Sequence, residues 1–207
     1  DYNLTEIFDL FTCVQNHHHH HDTHGSHEPK KQLEEFGVTE STVDKLGRVS
    51  AYHWWFPYAA SKEVARLGIG RAIGDVHKEM QGAVADFNQH KFVLYSGHDS
   101  TIAPVLAALE VFDGHWPPYA SNIVFELLQS KEKPEDHYVR LVYNQQVLKL
   151  PRCAAVAKEN GTLCPFSKFE ELANLVTPVN YVEECKLRDD PPNHSLAHQT
   201  DYKKFQI

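Results

Sequence analysis

Two helical patterns enclose a four-residue apolar run, and no other feature restricts the fold of this chain as strongly. The run is Phe92-Val93-Leu94-Tyr95, which reads as a β-strand. Ahead of it, Ile69, Ala72, Ile73, Val76, Met80, Ala83, Val84 and Phe87 recur with a 3.6-residue period, the core-facing stripe of a long helix. His77 lies beside that stripe and reads as a surface or hydrogen-bonded histidine rather than a ligand. Behind the run, Ile102 to Leu109 reads as a second helix, with Ser100 or Thr101 as N-cap and Pro104 tolerated in the first turn. A helix-to-strand-to-helix passage of this kind packs in layers, so an α/β architecture is expected.

The junction itself carries chemistry. Tyr95-Ser96-Gly97-His98-Asp99-Ser100-Thr101 sets an imidazole beside a carboxyl group where the strand hands over to the helix. Unpaired N–H groups and the positive end of the helix dipole favour anions there, at the carboxyl end of a strand. His98 is placed to contact a phosphate and Asp99 to donate a proton. On these seven residues alone, a hydrogen-bonded pair or a plain N-cap is the commoner explanation.

The flanking residues add more. His98-Asp99, Phe112-Asp113-Gly114, Trp116-Pro117-Pro118-Tyr119-Ala120-Ser121 and Phe125-Glu126-Leu127 together closely resemble the C-terminal signature of the histidine acid phosphatases. Leu163-Cys164-Pro165 and Tyr181 to Cys185 resemble that family's closing segment, so the likeness runs from about Gly37 to Cys185. It implies a central mixed sheet with flanking helices and an antiparallel hairpin after the His-Asp helix. It also implies hydrolysis of small phosphate monoesters at acid pH through a phosphohistidine, without a cofactor or metal. Carried over by position, His98 is a phosphate ligand and Asp99 the acid that protonates the leaving alcohol. The chemistry is sound, since a carboxylic acid can neutralise the alkoxide as the P–O bond breaks. The resemblance further implies a disulfide between Cys153 and Cys164, with two free thiols as the alternative; cysteine and sequon usage point to an oxidising, secreted or lysosome-like setting.

One part of the pattern is missing. The family's nucleophile lies in an Arg-His-Gly-x-Arg-x-Pro motif whose arginines clamp the phosphate, and this sequence contains no Arg-His-Gly. Thr23-His24-Gly25-Ser26-His27-Glu28-Pro29 has the spacing but lacks both arginines, and a chance match in a loop explains it. The chain therefore reads as the C-terminal portion of one phosphatase domain over residues 1–188, with the nucleophile upstream and no turnover on its own. Cys13 and Cys185 resemble family cysteines whose expected mates are absent, which agrees with that reading.

Composition sets outer bounds. The net charge of −8 with histidine neutral argues against a nucleic-acid surface, and no apolar run reaches the roughly 18 residues that span a bilayer. Asn3, Asn160 and Asn193 head glycosylation sequons. Residues 15–35 form a His-rich loop insertion, with His17 to His21 consecutive; the tail 189–207 is polar and reads as disordered. Thr39 is expected to cap a helix through Leu46 and Val49, with Val38 and Val43 as a staple. The aromatic cluster Tyr52 to Tyr58 ends at proline and reads as packing, with an apolar substrate wall as the alternative. Asn122 to Leu128 and Tyr138 to Tyr143 read as a hairpin, and Val147 to Leu150 as a third strand. Glu126, read as buried, needs a partner, expected in the missing half. Three functions stay open: a broad acid phosphatase, a lysophosphatidic acid phosphatase-like lipid phosphatase, and a noncatalytic truncated or metal-binding protein using the His tract. A homodimer is the remaining partner expectation.

Overall fold

The computed structural model describes residues 3–16, 33–87 and 90–186. The His17–His21 tract, the motif-like stretch at 23–29, Asn193 and the tail from Asp189 lie outside these residues. The described residues gather in two compact units, one running to Trp54 and including Gly114–Trp116, the other holding the rest.

In the first unit, α1 (Leu4–Asn16) meets the start of α2 (Glu40–Ala60). Thr39 caps α2 as expected: its Oγ1 accepts from the Thr42 N–H at 3.2 Å, and its carbonyl accepts from Val43. Val43 and Ala51 are buried on the inner face of α2. Phe8 lies so close to Gly47 that a Cβ there would be 2.7 Å from the ring, so the glycine allows the approach. Trp116 completes the contact, 5.7 Å from Phe8 and edge-on to Trp54 at 6.4 Å, while Trp54 Nε1 donates to Thr5 Oγ1 at 3.1 Å.

The helix does not stop at Val49. It continues through the aromatic cluster and past Pro57 to Ala60. A proline forfeits one hydrogen bond in its helix, a cost that the packing of the cluster offsets. Trp55 is buried against Tyr58, whose ring in turn touches Gly68.

The second unit is built on α3 (Lys62–Val84), α4 (Asp99–Ala108), α5 (Phe166–Val176) and a four-stranded sheet. Ser61 caps α3 by accepting from the Val64 N–H at 3.3 Å. Strands β1 (Ile123–Gln129), β2 (His137–Tyr143) and β3 (Gln146–Leu148) are ordered β1-β2-β3, and the short β4 (Cys164–Pro165) pairs with β2. All pairings are antiparallel. The expected hairpin is β1–β2, and the turn into β3 holds Asn144 and Gln145 at φ 45° and 68°, as a two-residue hairpin turn demands. Ile73, Met80, Val105, Leu109, Val139, Leu141, Phe166, Phe169 and Leu172 form one core. Each large side chain fully withdrawn from water contributes about 1.5–3 kcal/mol, so these contacts between helices and sheet dominate the stability of the unit. Cys153 and Cys164 are joined by a disulfide, with Cα atoms 5.4 Å apart.

Two expectations change here. The core stripe ends at Val84, because Asp86 turns the chain at φ 58° and leaves Phe87 88% exposed. Phe92 to Tyr95 is extended but belongs to no strand: among the described residues it has no ladder partner, and all four side chains are exposed. A run that is apolar on both faces needs cover on both, and the described residues supply none. No described helix is long and apolar enough to cross a membrane.

Candidate active site

His98 and Asp99 stand where the extended segment enters α4. The helix begins earlier than the sequence suggests, with His98 rather than Ser100 or Thr101 as N-cap at φ −130°, ψ 174°. The His98 carbonyl accepts from the N–H groups of Thr101 at 2.9 Å and Ile102 at 3.0 Å. In return, the His98 N–H donates to Thr101 Oγ1 at 3.4 Å. Asp99 is the first residue of α4, and its Oδ1 accepts from the Ser100 N–H at 2.6 Å. The side chains of His98 and Asp99 are both exposed, so the pair is accessible to an anion from solvent.

The rest of α4 is apolar and anchors the pair. Ala103 to Leu109 are buried without interruption. With His98 as N-cap, Pro104 falls in the second turn rather than the first, where it lacks the N–H that would bond the Ser100 carbonyl, and the burial around it offsets that loss. Upstream, the exposed segment passes the acidic face of α3: His90 Nδ1 lies 3.3 Å from Glu79 Oε2. The Tyr95 phenol is held above its ordinary value, first by partial desolvation and then by the Glu79 and Asp75 carboxylates. It is therefore neutral at acid and neutral pH.

Other residues singled out in the sequence fall as follows. Of the two alternatives for His77, surface or hydrogen-bonded, the structure has the second: the ring is buried, its Nε2 is 3.2 Å from Glu170 Oε1, and the rings of Phe166 and Phe169 flank it. It is a hydrogen-bonded core histidine. Glu126 is only half-buried and needs no missing half, because Arg140 sits directly opposite on β2 and forms an ion pair with it. Asn3 and Asn160 are exposed, as are Cys13 and Cys185. No cluster of three or more His, Cys, Asp or Glu side chains suited to a metal occurs among the described residues.

Two features escaped the sequence reading. Arg140 could have been found by counting back from the hairpin turn, since the register fixes its partner. The reciprocal hold of Thr101 on His98 depended on locating the cap, which proximity of Ser100 obscured.

Comparison with known proteins places the chain in a family. Residues 2–144 match the model of the histidine phosphatase superfamily, branch 2. The chain is 33% identical to prostatic acid phosphatase of Bos taurus over 157 residues, covering 73% of this chain and 39% of that one. It is 29% identical to a probable acid phosphatase of Schizosaccharomyces pombe over 178 residues, covering 64% and 38%. A shorter stretch of 78 residues is 38% identical to 2-phosphoxylose phosphatase 1 of Mus musculus, covering 38% and 16%. The chain thus spans about two fifths or less of the length of these relatives. With the family model covering well over half of its residues, the chain belongs to branch 2 of the histidine phosphatase superfamily.

Proposed function

We propose that this chain carries the acid half of a phosphomonoesterase site, in which His98 contacts the phosphate and Asp99 protonates the leaving alcohol. The nucleophilic imidazole and the arginine clamps come from an Arg-His-Gly segment on polypeptide beyond these residues. In the first step that imidazole attacks phosphorus, the P–O ester bond breaks, and the Asp99 proton passes to the departing oxygen. In the second, water displaces the histidine from phosphorus, and the Asp99 carboxylate takes up a proton. The same carboxyl group thus serves as acid in the first step and as base in the second, ending each cycle in the form in which it began.

The observation that carries the reading is the placement of the pair. His98 and Asp99 sit at the exposed end of Phe92–Tyr95, an apolar extended segment with no strand partner among the described residues. A paired neighbour strand would bring further residues to the same edge as His98. Names of the relatives, two acid phosphatases and a sugar-phosphate phosphatase, support the reaction class. By the same reading the domain is single over residues 1–188, the substrate is a small phosphate monoester, and the setting is secreted or lysosome-like, where the Cys153–Cys164 disulfide and sugars on Asn3 and Asn160 persist.

The test uses two preparations assayed with an aryl phosphate between pH 4 and 6. The 207-residue chain is expected to show no turnover, and a longer gene product containing Arg-His-Gly is expected to be active. Turnover by the short chain that Asp99→Ala removes would place the nucleophile within it and overturn the division of the site.

A further inference from the structure

The described residues hold no second cluster of nucleophiles or metal ligands, but the backbone around His98 shows an arrangement that the acid and ligand roles alone do not require. We propose that Thr101 is a positioning residue that sets the direction in which His98 presents its ring to the phosphate, and that Gly97 is glycine in order to admit it. This rests on the phosphatase reading above.

Three observations converge on Thr101. It holds both backbone polar groups of His98: its N–H donates to the His98 carbonyl at 2.9 Å, and its Oγ1 accepts from the His98 N–H at 3.4 Å. Both halves of a capping box are present: the His98 side chain faces the Thr101 N–H, and the Thr101 hydroxyl, where glutamate is usual, accepts from the His98 N–H. The second is steric. A Cβ placed on Gly97 would lie 3.0 Å from Thr101 Oγ1, 3.2 Å from its Cβ and 3.3 Å from its Cγ2. Contacts that tight on three atoms mean that any larger residue at 97 pushes Thr101 away from His98. Gly97 does not need its freedom for a left-handed backbone, since it is absent from the positive-φ positions; space is the remaining reason. The third is stiffness. A β-branched side chain has few χ1 states, so Thr101 is a firmer clamp than serine would be, and it projects from a helix whose next turns are fully buried.

The consequence is geometric. His98 itself is exposed, and what its ring faces at the cap is the Thr101 N–H, the other half of the same capping box. Its direction is inherited from the backbone, and the backbone is pinned by Thr101. Misplacing a phosphate ligand weakens binding of the phosphate group more than it slows proton donation by Asp99, which stands on the helix proper.

The test compares Thr101→Val, which keeps the shape against Gly97 and deletes the oxygen, with Thr101→Ser, which restores the oxygen. In the 207-residue chain, scalar couplings of His98 report its χ1 populations without any need for activity. The wild type and Thr101→Ser are expected to favour one rotamer, and Thr101→Val to populate several. In the longer gene product, Thr101→Val is expected to raise KM and the inhibition constant for inorganic phosphate by roughly fivefold to tenfold, the size of one hydrogen bond, with a much smaller change in kcat and rescue by Thr101→Ser. An unaltered His98 rotamer distribution in Thr101→Val, or unaltered phosphate inhibition despite an altered one, overturns the proposal. A loss shared by Thr101→Val and Thr101→Ser that follows thermal stability also overturns it. Absence of activity in the longer wild-type product would instead remove the phosphatase reading, and the rotamer comparison would still decide the role of Thr101.

Discussion

Single residues set how closely the elements of this chain approach one another. Gly70 on α3 faces the end of α5 at a distance where a Cβ would be 1.8 Å from the Val176 carbonyl oxygen, and one at Gly74 would be 2.6 Å from Thr177 Cγ2. Replacing a helical glycine by alanine ordinarily gains about 1 kcal/mol. Here overpacking against backbone costs about 1–3 kcal/mol, so Gly70→Ala should destabilise the chain, and a lower denaturant midpoint checks it. A raised midpoint would mean that α3 and α5 are not in close contact. The Glu126–Arg140 pair is a milder case, because both side chains are about one third exposed. Its coupling in a double-mutant cycle should be as weak as that of an ordinary surface ion pair and fall with added salt, and a strong, salt-insensitive coupling would point to a buried role for Glu126. That partner illustrates what a sequence conceals. An isolated glutamate in an apolar strand looks orphaned until the register is known, and register follows from the turn rather than from the strand.

At the scale of elements, the legible parts were those whose signals are local. Thr39 as a cap, the stripe on α3 and the hairpin all follow from spacing, and each is present. Boundaries were less legible: Pro57 did not end α2, which runs on to Ala60 with Trp55 buried just before the proline. Two predictions belong at this scale. The Cys153–Cys164 bridge closes a loop with a sequence separation of 11, and chain entropy assigns such a loop about 3 kcal/mol. Replacing both cysteines by alanine should lower unfolding free energy by roughly that amount, measured in denaturant. The helix α6 (Tyr181–Glu184) is clasped to α3 by Arg66, which pairs with Glu184, and by Arg71 stacked 4.8 Å over Tyr181. The Arg66 hydrogen bond, followed by the Asn180 N–H, holds Glu184 below its ordinary value of 4.5. A lowered carboxyl value means that the stabilisation is fully present above 4.5 and is lost as pH falls through the lower folded value. Hydrogen exchange at the Glu184 and Cys185 amides should therefore accelerate relative to intrinsic rates in that acid window. In Glu184→Gln the acceleration should be absent, and its persistence there would assign it to another group.

For the whole molecule, the α/β class and the family were legible because the signature around His98-Asp99 is dense and contiguous. The sheet position of Phe92–Tyr95 was not realised, for a physical reason: a strand exists only with a neighbour, and the described residues provide none. The central claim is the role of Asp99 as proton donor, and its most direct measurement is the leaving-group dependence of hydrolysis in the longer gene product. Asp99→Asn should slow esters of alkyl alcohols by about 10²–10⁴-fold, while an activated aryl phosphate, whose leaving group departs without a proton, loses far less. Equal losses for both esters would contradict the assignment.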